Sequence, residues 1–94
     1  MGNKLSSIPT TIGELSSLEK LYLIRSHIAS LPNSIGDLTN LKILDLRYNR
    51  LTGLPSSMTQ LQNSLEIIYL GGNNFSKEDQ LRTKTLLPHT DIYF

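Results

Sequence analysis

Residues 41–51 read LKILDLRYNRL. Leu44 and Leu46 alternate with Ile43, Asp45 and Arg47, the pattern that the two faces of a β-strand require. Asn49 follows where the chain has to leave the strand, and there a side-chain amide can satisfy backbone groups that the turn leaves unpaired. A stretch this short cannot bury its apolar face alone, so it requires neighbours of the same kind.

Those neighbours exist. LEKLYLIRSHI starts at Leu18 and LEIIYLGGNNF at Leu65, and each fits L-x-x-L-x-L-x-x-N-x-L, with Ile68 and Phe75 as apolar substitutes and Ser26 as the one departure at the asparagine position. The intervening segments SIPTTIGELSSL, SLPNSIGDLTNL and GLPSSMTQLQNSL are also in register. Pro9, Pro32 and Pro55 recur every 23 residues, as do Ile12, Ile35 and Met58, and Leu15, Leu38 and Leu61. The third unit carries one extra residue before Leu65. Pro32 and Pro55 suit the start of a return path, because a fixed φ and a missing N–H fit a turning segment better than an interior strand.

This pattern resembles the leucine-rich repeat family, in the short L-P-x-x-I-x-x-L variant common in bacterial and plant intracellular proteins. The resemblance covers nearly the whole chain. It implies an α/β solenoid with a parallel sheet on the concave face and loops or short helical turns on the convex side. A single domain, 1–94, is expected: a partial first repeat over 1–17, repeats at 18–40, 41–64 and 65–75, and a C-terminal cap over 76–94. In the cap, SKEDQLRTKTLL has a helix start at Ser76, with Asp79 three residues on in place of the usual Glu or Gln, and no breaker before Pro88. Ile92 and Tyr93 stand 24 residues after Ile68 and Tyr69, so DIYF predicts one last short strand. The ending LLPHTDIYF also resembles the terminal cap of many bacterial members of the family.

The start, MGNKLSS, admits two readings. Met1, Gly2 and Ser6 fit the N-myristoylation pattern, yet Asn3, Lys4, Leu5, Ile8 and Pro9 match Asn49, Arg50, Leu51, Leu54 and Pro55 two periods later. The second reading accounts for more residues and makes NKLSSIP the second half of a repeat whose strand is missing. The strand beginning near Leu18 then has nothing upstream to shield it, and its edge is expected to pair with another copy or belong to a longer array.

Composition narrows the function. A formal charge of +1, from nine basic and eight acidic residues among 94, offers no basic excess for nucleic acid or an anionic membrane. No apolar run reaches transmembrane length, and no signal-peptide core opens the chain. Cysteine is absent, which removes disulfides and thiolate chemistry and favours an intracellular setting: cytoplasmic, or the cytosol of a host if the chain is a delivered effector. His27 and His89 have no partners at dyad spacing, His89 with Asp91 is too small a set for a metal, and Gly71 and Gly72 belong to no phosphate loop. No enzyme activity and no cofactor are expected.

The third, fifth, seventh and eighth positions of each unit point to the concave side. They are Lys20, Tyr22, Ile24 and Arg25, then Ile43, Asp45, Arg47 and Tyr48, then Ile67, Tyr69, Gly71 and Gly72, with Asp91 and Tyr93 added by the cap. All four tyrosines of the chain thus share one face, and tyrosine and arginine dominate many protein interfaces. Strand propensity and packing between neighbouring columns would place some of the same residues there without any ligand. The partner-binding residues expected are those just named, apart from Asp91, with a shallow seat for a partner's side chain beside Tyr69 at Gly71 and Gly72. The functional reading is a module that binds a protein on its concave face. The alternative is an assembly fragment that self-associates, or joins a longer array, through its N-terminal edge.

Overall fold

A computed structural model describes residues 7–94. Four short strands, β1 (Lys20–Tyr22), β2 (Ile43–Asp45), β3 (Ile67–Tyr69) and β4 (Asp91–Tyr93), form a parallel sheet in chain order. Leu21, Leu44, Ile68 and Ile92 lie side by side across it, and so do Tyr22, Asp45, Tyr69 and Tyr93. The expected register holds, including the last strand in DIYF.

The return path of each unit is a 3-10 turn, over Thr10–Glu14, Asn33–Asp37 and Ser56–Leu61. Pro9, Pro32 and Pro55 precede these turns with φ of −66°, −71° and −67°. Each proline carbonyl accepts the first bond of its turn, from the N–H groups of Ile12, Ile35 and Met58 at 3.1, 3.0 and 3.0 Å. Proline costs nothing here, because the N–H that it lacks would have no partner in the turn. The extra residue of the third unit falls between Leu61 and Leu65, where the Leu65 N–H bonds to the carbonyl four residues back, Leu61, while Leu41 bonds to Leu38 three residues back. The sheet register downstream is therefore undisturbed. Successive turns stack closely: a β-carbon on Gly36 would lie 2.5 Å from the carbonyl oxygen of Ser57.

The core runs between sheet and turns. Ile35, Leu38, Leu41, Leu44, Leu46 and Leu51 in the middle of the chain are fully buried, as are Met58, Leu61 and Ile68 further on. Each such side chain contributes about 1.5–3 kcal/mol of transfer free energy. Among the described residues, the N-terminal end is covered on one side only. Ile12, Leu18, Leu21 and Leu23 are half-buried, and Leu15 is 51 % exposed where its counterparts Leu38 and Leu61 are at 0 %.

At the other end a helix packs against the third 3-10 turn. Helix α1 (Lys77–Leu86) starts at Ser76, whose hydroxyl accepts from the Asp79 N–H while the Ser76 N–H donates to the Asp79 carboxylate, both at 3.1 Å. Aspartate completes the capping box despite its shorter side chain. The Thr90 hydroxyl donates to the Leu65 carbonyl at 2.8 Å, and the Phe75 and Phe94 rings meet at 5.4 Å between centroids. These contacts fasten the cap to the third repeat. The myristoylation pattern at Gly2 and the match of Asn3, Lys4 and Leu5 to the repeat lie outside the described residues. Within them, Ile8 is buried against the core, as its place in the repeat requires.

Candidate functional site

The sheet face is anchored by what lies at the strand exits. Asn49 is buried, and its amide serves two repeats at once. The Asn49 Nδ2 donates to the carbonyls of Leu23 and Leu46 at 2.7 and 2.9 Å, and its Oδ1 accepts from the N–H groups of Ser26 and Ile28 at 2.9 and 3.0 Å. Asn73 repeats the arrangement one unit on, donating to Leu46 and Leu70 and accepting from Leu51. Ser26 is too short for this. Among the described residues its hydroxyl reaches only the Ile24 carbonyl of its own unit, at 3.4 Å.

The residue before each of these turn positions has a left-handed backbone: Arg25 at φ 57°, Tyr48 at 61° and Gly72 at 76°. Glycine adopts this conformation freely, whereas arginine and tyrosine pay of order 1 kcal/mol or more for it. At the first two positions the chain therefore holds a large side chain at a fixed angle over the sheet.

Two stacks result. In one, the Arg25 guanidinium carbon sits 4.6 Å from the Tyr48 ring centroid, and the Tyr48 ring in turn covers the α-carbon of Gly72. In the other, the Arg47 guanidinium lies 5.2 Å from the Tyr69 centroid, and Tyr69 stacks on Tyr93 at 5.5 Å with 21° between the planes. Arg47 also grips Asp45 through two parallel bonds, Nε to Oδ1 at 2.9 Å and Nη2 to Oδ2 at 2.7 Å. That bidentate bond to Asp45 is the main reason the Arg47 guanidinium holds its proton even more firmly than usual.

Most of the residues expected on this face are there. Lys20, Tyr22, Ile24, Arg25, Arg47, Tyr48, Tyr93 and Gly72 are exposed, while Ile43, Ile67, Tyr69 and Gly71 are half-buried between their neighbours. Two expectations need correction. Asp45 is only 2 % exposed and spends its carboxylate on Arg47, so it supports the face instead of offering a contact. The open seat at Gly72 does not exist either: the Tyr48 ring fills it, and a β-carbon there would overlap that ring. Gly71 lies against the backbone of Phe94, 3.6 Å from where a β-carbon would stand.

The contact of Arg47 with Tyr69 escaped sequence reasoning because it runs diagonally, from the seventh position of one unit to the fifth of the next, and the first stack because it joins eighth positions that lie beyond the paired strand residues. The signal that could have found the first stack is the glycine at 72, aligned with Arg25 and Tyr48. His27 and His89 are exposed, and among the described residues no cluster of three histidines or acids could hold a metal. Nor is any described helix long and apolar enough to cross a membrane. The convex side carries a shallow polar depression of about 640 Å³ beside Asn33, Asp37 and Ser56.

A parallel sheet in chain order, proline-led 3-10 turns, an aliphatic spine and asparagines bridging successive strand exits define a repeat solenoid. The chain belongs to the leucine-rich repeat family, whose family model matches residues 16–75. Its structure is similar to that of a leucine-rich repeat protein from Leptospira interrogans, with a TM-score of 0.94 and 39 % identity over 99 % of this chain. The chain spans 24 % of that protein's length. No curated protein sequence matches it. Family and fold point to a protein-interaction module, of a kind generally without enzymatic activity.

Proposed function

We propose that the chain meets a protein partner on its concave sheet face. The observation that carries this reading is the ordered display of Tyr22, Tyr48 and Tyr93, each more than half exposed, around two arginine–tyrosine stacks. Large, rigid side chains with a polar edge bind with little further loss of rotamer entropy. The test is capture from lysate with the wild type, a Tyr22→Ala/Tyr48→Asn variant and a convex control, Thr39→Ala/Gln60→Ala. Asparagine tolerates the left-handed backbone at 48, so circular dichroism should be unchanged. A partner lost by the first variant and kept by the control supports the concave face, whereas equal capture by all three refutes it.

A second reading rests on the half-covered first repeat. Leu15 is exposed and β1 is an edge strand among the described residues, so this end is suited to pairing with another copy or with further repeats. Sedimentation of the isolated chain separates the readings, since self-association is required only by the pairing of copies. The similarity to a bacterial protein also supports a narrower version, an effector acting on a host protein, which a translocation reporter fused to the chain would test.

A further inference from the structure

We infer that the N-terminal half of the concave face takes an acidic segment of the partner, with a carboxylate seated on the Arg25 guanidinium. The inference rests on the concave reading above and names the chemistry that this face would recognise.

The two stacked arginines differ in what they have left to give. Arg47 commits its Nε and Nη2 to Asp45, whereas among the described residues the ion pairs engage only Arg47 and Arg82. Arg25 is exposed and makes no ion pair there, yet it is held in place: its guanidinium lies over Tyr48, and Tyr48 is seated over Gly72. A planar fork of donors fixed in this way is preorganised for bidentate contact with a carboxylate.

The surroundings agree in charge and shape. Lys20 stands on the same end of the face, and exposed Tyr22 and Ile24 offer apolar surface beside it. Of the acids in the concave columns, Asp45 is buried and neutralised, and Asp91 is on β4 at the far edge of the sheet. Glu19, just before β1, is exposed and unpaired among the described ion pairs, so Lys20 and Arg25 leave a positive excess at this end. An acidic segment with one apolar side chain is complementary to both parts.

The experiment is an NMR titration of the whole chain that follows the Arg25 Nε–Hε cross-peak. The probes are a capped peptide of glutamates flanking one phenylalanine, its glutamine counterpart, and an oligothymidylate. The glutamate peptide should move that cross-peak to saturation and the glutamine peptide should not. Arg25→Asn keeps a residue that tolerates the left-handed backbone and should weaken binding about tenfold or more. Arg25→Lys keeps the charge but loses the fork, and should fall between. The inference is overturned by a static Arg25 signal, by equal binding of the glutamine peptide or the oligothymidylate, or by Arg25→Asn binding as the wild type does. Should Tyr22→Ala/Tyr48→Asn lose a captured partner while the glutamate peptide leaves Arg25 unmoved, the concave face stands and the carboxylate fails.

Discussion

The Tyr48 ring occupies the space that a side chain at Gly72 would need, so the two residues are coupled across neighbouring repeats. Gly72 carries two demands, a φ of 76° and room for that ring. Gly72→Ala should therefore cost about 1–3 kcal/mol, measured by urea unfolding. Only part of this is steric against Tyr48. In a double-mutant cycle with Tyr48→Asn, the steric part should vanish and the backbone part should remain, and full additivity would show that the ring simply moves aside.

Asn49 and Ser26 occupy equivalent places but not equivalent roles. Removing the Asn49 amide leaves the N–H groups of Ser26 and Ile28 and the carbonyls of Leu23 and Leu46 without their present partner. Asn49→Ala should cost about 3 kcal/mol or more, given the penalty for each buried polar group left unpaired. Ser26→Ala removes the one long bond that its hydroxyl makes among the described residues and should cost under about 1 kcal/mol. Similar losses for the two would contradict the bridging role assigned to Asn49.

Much of this was legible in the sequence, for identifiable reasons. A repeat writes the same physics several times, so Leu44, Ile68 and Ile92 disclose the register and Pro32 and Pro55 disclose where each strand's return begins. The sheet face was legible in its members but not in its relations. Alternation along a strand reports which way Asp45 projects. It does not report that Arg47, two residues on, folds back over it. Likewise, a glycine at 72 reads as vacant space until the neighbouring tyrosine is placed.

The capping box predicts a pH dependence. Hydrogen bonds from the Ser76 backbone N–H and side chain, with the charge of Arg82 adding to them, hold the Asp79 carboxyl below its usual range. A folded-state value below the unfolded one stabilises the chain above the unfolded value, near 4, and that stability is lost as pH falls through the lowered folded value. Asp79→Ala should thus destabilise the chain at pH 7 and matter progressively less below about pH 4. Thermal unfolding of both proteins over that range checks the sign. A gap that widens in acid would contradict the account.

Leu15 and Leu38 share one position in successive repeats, and the solenoid makes them unequal. Leu38 is enclosed by repeats on both sides, so Leu38→Ala should cost about 2–5 kcal/mol through lost transfer and the cavity left behind. Leu15 has cover on one side only among the described residues and is 51 % exposed, so in a monomer Leu15→Ala should cost under about 1 kcal/mol. Association of β1 with a second copy would change this, because it would bury Leu15 and make the penalty depend on protein concentration. Unfolding of the wild type and Leu15→Ala at several concentrations therefore reads the state of this end directly. A small, concentration-independent loss means that copies do not pair there, and a loss that grows with concentration means that they do.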